Sequence, residues 1–366
     1  MEVGIISPAE YAVRPVHMSS EVAISVIMST RNRAHYLPDV LRTLAAQDCD
    51  APFEVIVIDN ASTDNTPAVL DEWCRTDSMF RTARELLPGL SRGKNAGIRM
   101  ARAPLLLFTD DDTRVEPHWV ESYHNLFARR SDGLMLAGGP IVPIPHDLGR
   151  WPDWLDEPAL ADAGLLHHRE ERVLRNGEYV WGGNMAVPRR LFDQFGLWDE
   201  TAGLQGDKRV TLEDSEFFED TEFQDRIRKA GGSVWFCPVA VVHHRVDRQT
   251  ITPRRISSTA FSRGRNDIWI HDLPIWHEVR SVPRRNALGC LLALAGSLFR
   301  WALWVIMFRL SNRKSFFERA RRAAFASGRS LDSLRAGRSS LRLFLGAGRI
   351  AFPARRLLLR LTRDVP

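Results

Sequence analysis

Short apolar runs closed by polar or turn residues set the rhythm of the N-terminal half. They are AISVIMS at Ala23–Ser29, FEVIVI at Phe53–Ile58, LLLFT from Leu105, and a shorter run at Leu134–Gly139. Runs of this length, rich in β-branched residues and bounded by turn signals, suit strands buried on both faces of a parallel sheet. Between them the period changes. Leu37, Val40, Leu41 and Leu44 recur at helical spacing and predict a helix over Tyr36–Ala46. The turn-rich DNASTDNT follows the second run. Thr63, Asp64 or Thr66 can cap a helix through Trp73, with Pro67 in its first turn. Arg81–Leu87 is a weaker strand, GLSRGKNAGIRMARA reads as a loop and a helix, and a further helix is predicted near Pro117–Arg130. Strands alternating with helices predict βαβ units, an α/β class and a mostly parallel sheet flanked by helices.

From Pro140 the periodicity fades. GPIVPIPHDLGRWPDWLDEPA is dense in Pro and Trp and reads as irregular cover over the sheet. Trp151 and Trp154 are read as packing residues, with a sugar-stacking platform as the alternative. Tyr179–Val187 regains strand character around a Gly-Gly-Asn, where glycine signals a close backbone approach. TAGLQGDKRVT suits a mobile lid. A helix is expected from about Thr221 to Gly231–Gly232, then a strand at Ser233–Phe236, and Val239–Val242 leads into His243–His244.

Beyond about residue 250 the character shifts again. Ala287–Leu310 is apolar except for Arg300, and its length is near that of a spanning helix. A central arginine costs about 2.5–3.5 kcal/mol in a bilayer. A core helix or an interfacial hairpin are the other readings. Residues 1–21 read as an N-terminal extension without a signal peptide, 22–255 as the α/β domain, and 256–366 as a helical extension.

Charge sharpens the last boundary. The net +5 hides 15 basic and 3 acidic residues from Arg309 to Pro366, a local +12, against −7 for the remainder. A basic tail with Leu and Phe at helix-like intervals points to an anionic membrane surface, and no nucleic-acid module stands in the body. Cys49, Cys74, Cys237 and Cys290 form no Cys-x-x-Cys pair, which argues against a zinc site or a disulfide framework and for a reducing, cytosolic setting.

The chemistry concentrates at Asp110, Asp111 and Asp112, which close the run from Leu105. Adjacent carboxylates repel unless solvated or bridged by a cation. Open α/β sheets bind ligands at the carboxyl ends of their strands, where hard ions such as Mg²⁺ and Mn²⁺ take carboxylates plus substrate phosphates. Gly89, Gly93 and Gly97 form no dinucleotide fingerprint, and no Walker lysine–serine pair is present.

Taken in order, AISVIMSTRNR, FEVIVIDNASTDNT, GLSRGKNAGIRMARAPLLLFTDDD, WGGNMAVPRRLFDQFGLWDE, FEDTEFQDRIRKAGG and VVHHRV resemble the inverting family-2 glycosyltransferases over about Ala23–Thr252. The resemblance implies a GT-A fold, a Rossmann-like sheet holding a nucleotide-sugar, with Mg²⁺ or Mn²⁺. By it, Asp59 resembles the aspartate that accepts a hydrogen bond from the base. Thr30, Arg31 and Asn32 lie beside the same nucleotide, and Arg92, Lys94 and Asn95 near ribose or diphosphate. The Asp triplet matches the Asp-x-Asp signature. Asp112 is the first choice of metal ligand, with Asp110 and Asp111 at the ribose or completing the shell. His244 resembles the histidine that closes the site, with His243 as the register alternative. Trp181, Gly182, Gly183 and Asn184 resemble the segment facing donor sugar and acceptor.

An inverting transfer needs a carboxylate to take the acceptor proton. Glu213–Asp214 and Glu219–Asp220 compete. The family spacing before a helix ending in Ala-Gly favours Asp220, with Glu219 in support, although Phe218 stands where the family has glycine. The expected protein is a metal-dependent inverting glycosyltransferase. It uses a nucleotide-sugar, first of all a UDP-sugar, on a glycan or lipid-linked acceptor at the cytoplasmic membrane face. The rivals are a sugar nucleotidyltransferase, which needs a glycine-rich loop that STRNRAHYL lacks, and a non-catalytic nucleotide-sugar-binding scaffold, which would have lost a carboxylate.

Overall fold

The computed structural model describes residues 22–130, 133, 135–147, 149–155, 160, 165–201, 219–249, 251–252, 255–256, 259–260, 287–311, 319–320, 322–324 and 326–327. The N-terminal extension, Glu213–Asp214, most of the lid segment and most of the basic tail fall outside these residues.

Three apolar runs become the centre of one sheet. β1 (Ile24–Thr30), β2 (Phe53–Asn60) and β4 (Leu105–Thr109) are almost wholly buried, as residues covered on both faces must be. β3 (Phe80–Glu85) pairs in parallel outside β2, and β4 pairs in parallel with β1 on the other side. β6 (Met135–Gly138), β8 (Arg172–Val173), β9 (Asn184–Pro188) and β10 (Ser233–Phe236) complete an eight-stranded order β3-β2-β1-β4-β9-β6-β10-β8. Four of its seven pairings are parallel. The exceptions are β4–β9, β6–β9 and β10–β8.

Helices cover both faces. α1 (Leu37–Ala45) turns Leu37, Val40, Leu41 and Leu44 inward, the stripe its spacing predicts. α2 (Thr66–Thr76) and α4 (Trp119–Arg129) join it over one core cluster. α3 (Leu90–Met100), α5 (Arg189–Phe195) and α6 (Glu219–Lys229) close the other. Gly97 lets α3 lie flat on β1, since a Cβ there would overlap the Ile27 side chain.

Beyond the short β5 and β8 and the helix α5, none of which was expected, the structure departs from the expected elements after Pro140 and at the histidines. The stretch read as irregular after Pro140 contains β7 (Ile141–Pro145). It belongs to a second, three-stranded sheet with β5 (Thr113–Val115) and β11 (Val242–Val246), in the order β5-β11-β7. In addition, β11 begins only at Val242, the last residue of the run read as leading into His243–His244, and carries both histidines. Trp154 is buried with Leu155, Val246, Ile251 and Ile256, and Trp151 packs against that cluster, as packing residues do. The apolar segment forms α7 (Ala287–Ser311). Among the described residues, no helix is long and apolar enough to cross a membrane.

Candidate active site

Strand direction gathers the polar residues. β1, β2 and β4 run parallel, so Thr30, Asp59 and the Asp110–Asp112 turn emerge at the same edge. β9 runs against β4 with Asn184 opposite Thr109, which delivers Gly182 and Gly183 to that edge as well. The short β5 turns back against β11, with Thr113 opposite His244.

At the triplet the three carboxylates have different neighbours. Asp111 Oδ2 accepts a 2.7 Å hydrogen bond from the Thr30 hydroxyl. Burial and the adjacent Asp112 push its carboxyl up to about 7, against the pull of that hydrogen bond. Asp112 Oδ1 lies 3.4 Å from His244 Nε2. Burial acts to raise Asp112, but the bond and charge of His244 hold it below the usual carboxylate range. The same pair holds His244 above its ordinary value despite burial. His243 points the other way, 2.6 Å from Glu116 Oε1, as alternation along a strand requires. The register alternative is thereby resolved in favour of His244. The Arg33 guanidinium, which the sequence reading passed over, reaches within 3.9 Å of Asp111 and 4.0 Å of Asp112. It belongs to the same STRNR loop as the residues named there, and only its proximity distinguishes it.

A second carboxylate group lies across Gly182 and Gly183. Asp220 Oδ2 accepts from the Gly182 N–H at 2.7 Å, and Oδ1 from the Thr221 N–H at 2.7 Å. Burial and the adjacent Glu219 push Asp220 up to about 7, while Lys94 and these N–H groups oppose them. The buried Lys94 ammonium donates to Glu219 Oε1 at 3.0 Å. Burial disfavours its charge, but Glu219, Asp110 and Asp220 together hold it up to about 12. Burial raises Asp110, with Lys94 opposing. Lys94 is therefore the cation that lets the triplet and the Glu219–Asp220 pair sit close together. The glycines are needed at this crossing: a Cβ on Gly183 would overlap Asp110 Oδ2, and one on Gly182 would lie 2.7 Å from Lys94 Nζ.

Asp59 closes the far end of the cleft edge. Its Oδ1 accepts from the Ser62 N–H at 3.0 Å. Its Oδ2 is buried without a hydrogen bond, though Arg84 Nε lies 3.4 Å away. An acceptor held this way suits a donor N–H from a ligand.

Other expected residues have different work. Arg31 donates to the carbonyls of Asn60 (3.0 Å) and Ala61. Asn32, at φ 54°, accepts from the Thr63 N–H at 2.7 Å. Both brace the end of β1 against the loop after β2. Arg92 pairs with Glu200 at 2.7 Å, and Asn95 holds the Trp198 backbone at 2.9 and 3.1 Å. These two anchor the 198–200 segment to α3. Asn184, expected to face donor and acceptor, lies inside the fold. Its side chain is fully buried, accepting from Trp119 Nε1 (2.8 Å) and Tyr123 Oη (2.7 Å) and donating to the Pro140 and Ala240 carbonyls (2.8 and 2.7 Å). Trp181 is partly buried against the second core cluster.

For a divalent ion the donor set is a test. Among the described residues no group of three or more His, Cys, Asp or Glu stands as a ready shell. Asp112 and His244, with Asp110 nearby, fit an ion that takes one or two protein ligands and completes its shell from substrate phosphates and water.

Residues 25–192 match the profile of the family described as Glycosyl transferase family 2. The chain is 23% identical over 194 residues to a glucosyl-dolichyl phosphate glucuronosyltransferase of Haloferax volcanii, covering 51% of this chain and 59% of that protein. It is 37% identical over 181 residues to a validoxylamine A glucosyltransferase of Streptomyces hygroscopicus, covering 48% and 40%. It is 28% identical over 181 residues to a chondroitin synthase of Pasteurella multocida, covering 49% and 18%. In each case the match spans less than two thirds of the relative's own length. The α/β architecture, with its large mostly parallel sheet between helices, agrees with the GT-A fold that the sequence resemblance implied. The match over residues 25–192, together with these relatives, supports a family-2 glycosyltransferase domain in this chain.

Proposed function

We propose that this protein transfers a sugar from a nucleoside diphosphate sugar to an acceptor hydroxyl with inversion at the anomeric carbon, and that Asp220 is the base. The convergence of Asp220, Lys94 and Asp110 across Gly182 and Gly183, beside the Asp111–Asp112 turn, carries the reading.

Each side chain has a task on this reading. The Oδ2 of Asp59, which has an ion pair with Arg84 but no hydrogen bond, accepts from a base N–H. Asp220 is held by two backbone N–H groups that fix the direction of its lone pairs. It accepts the acceptor hydroxyl's proton while that oxygen bonds to the anomeric carbon and the nucleoside diphosphate departs. Lys94 keeps the neighbouring carboxylates from neutralising one another by proton uptake. Asp112 and His244, with Asp110, would hold a Mg²⁺ or Mn²⁺ ion, which offsets negative charge on the diphosphate leaving group when bound.

The donor is a nucleotide-sugar, with a UDP-sugar the first to test, and the acceptor a glycan or lipid-linked glycan. Work at the cytoplasmic face of a membrane is supported by the +12 charge of residues 309–366. Asp220→Asn tests the assignment. Turnover is expected to fall by about 10²–10⁴-fold, while calorimetric titration with the nucleoside diphosphate stays close to wild type. Full turnover in that variant rejects Asp220 as the base.

A further inference from the structure

We propose that one face of α7, formed by Phe299, Leu303 and Ile306, is a membrane-insertion surface that lies flat in an anionic bilayer interface. This deepens the membrane-surface reading above and rests on it.

The two sides of α7 are not equivalent. Ser297, Trp301 and Val305, at i, i+4 and i+8, are buried. The chain itself covers that side. Ser327 Oγ donates to Ser297 Oγ at 3.1 Å, and the Arg319 guanidinium stacks 4.7 Å from the Trp304 ring. Ala320 and Ala324, on the same returning helical segment, are fully buried. Opposite, Phe299 is 70% exposed, Leu303 40% and Ile306 44%, at i, i+4 and i+7. Since the inner side is already packed, this outer stripe of large apolar side chains is not explained by the fold. Such stripes mark interaction surfaces.

Charge selects the occupant. Arg300 is exposed beside the stripe, and the chain leaving α7 carries 15 basic and 3 acidic residues between Arg309 and Pro366. An apolar helix face continued by a strongly basic segment fits a bilayer with anionic headgroups: apolar side chains enter the acyl boundary and arginines remain at headgroup level. A protein partner would need a matching acidic face beside an apolar groove. An anionic membrane offers both properties without special geometry. Only one face of α7 is open, because the other is held by the returning segment through Ser327 and Arg319, and a helix apolar and exposed on one face lies in the interface rather than through it.

The test is cosedimentation of the full chain with phosphatidylcholine vesicles, with and without phosphatidylglycerol, at low and high salt. Apolar insertion resists salt, whereas purely electrostatic adhesion does not. Wild type is expected to bind the phosphatidylglycerol vesicles and keep a bound fraction at high salt. The triple variant Phe299→Ser/Leu303→Ser/Ile306→Ser should bind at least about tenfold more weakly at low salt and dissociate at high salt. The triple variant Phe299→Leu/Leu303→Ile/Ile306→Leu should bind as wild type does, and melting curves of both variants verify folding. If wild type fails to bind either vesicle, the membrane reading itself falls. If wild type binds and the serine variant binds equally at both salts, the membrane reading stands and the α7 face is rejected. If the serine variant keeps vesicle binding but changes the protein from dimer to monomer in gel filtration, the stripe is a contact between copies and the proposal is overturned.

Discussion

Burial and Glu219 place the Asp220 carboxyl at about 7, and this has two measurable consequences of opposite sign. A base acts when deprotonated, so the rate is expected to rise with pH through about 7 and level off above it. A rate independent of pH across that range would remove Asp220 from the role. Stability moves the other way. The folded state holds this proton more tightly than the unfolded chain, whose aspartates titrate near about 4. The Asp220 contribution is therefore full below that value and is lost as pH rises towards about 7. Asn cannot ionise, so the melting temperature of Asp220→Asn relative to wild type should rise between about pH 4 and about pH 7 and level off above, as calorimetry would show. The position of Asp220 in the first turn of a helix was legible because a Glu-Asp pair precedes a helical stretch closed by Ala-Gly. The place of Lys94 was only half legible. The sequence puts it near phosphates, but its partner Glu219 lies on a different helix far along the chain, and no local pattern reports that ion pair. Arg31, Asn32, Arg92 and Asn95 look like ligand-binding polar residues for the same reason. A short segment does not say whether a polar side chain faces the cleft or braces a loop.

Among the elements, the buried parallel strands were the easiest to read, because burial on both faces writes an unbroken apolar run. β7 was missed because Pro143 and Pro145 disguise it. It occupies the edge of the small sheet, the position where a strand tolerates residues without an N–H. β9 was recognised as a strand, but periodicity does not tell an antiparallel neighbour from a parallel one. Its first residue, Asn184, gives the element-scale prediction. The side chain ties α4 to β9 and to the loops ending in Pro140 and Ala240. Asn184→Ala leaves the Trp119 indole N–H, the Tyr123 hydroxyl and two carbonyls without their partner. With each buried orphan costing about 1–3 kcal/mol, a total loss of at least about 3 kcal/mol is expected. Urea unfolding should show that loss, while kcat per folded molecule stays near wild type. A normal unfolding midpoint with collapsed kcat would return Asn184 to the ligand-facing group.

At the scale of the whole molecule, the site is a meeting of distant parts: Asp59 from β2, the triplet after β4, Asp220 from α6 and His244 from β11. On the proposed reading, a nucleoside diphosphate and a divalent ion bridge these parts only together, because the protein alone offers a ligand set that phosphates must complete. In a thermal-shift assay, Mn²⁺ alone and UDP alone should each raise the melting temperature little, and the two together by more than the sum. A full shift with Mn²⁺ alone would mean a complete protein shell and contradict the shared-ligand view. The placement of His244 also bears on the order in which the enzyme is built. β1 through β4 can pair as soon as the first hundred-odd residues exist, but β11 emerges long afterwards and must insert between β5 and β7. A nascent chain therefore displays its three aspartates well before their histidine arrives. On the proposed reading, the docking of that single late strand is what brings the histidine to a sheet edge already formed.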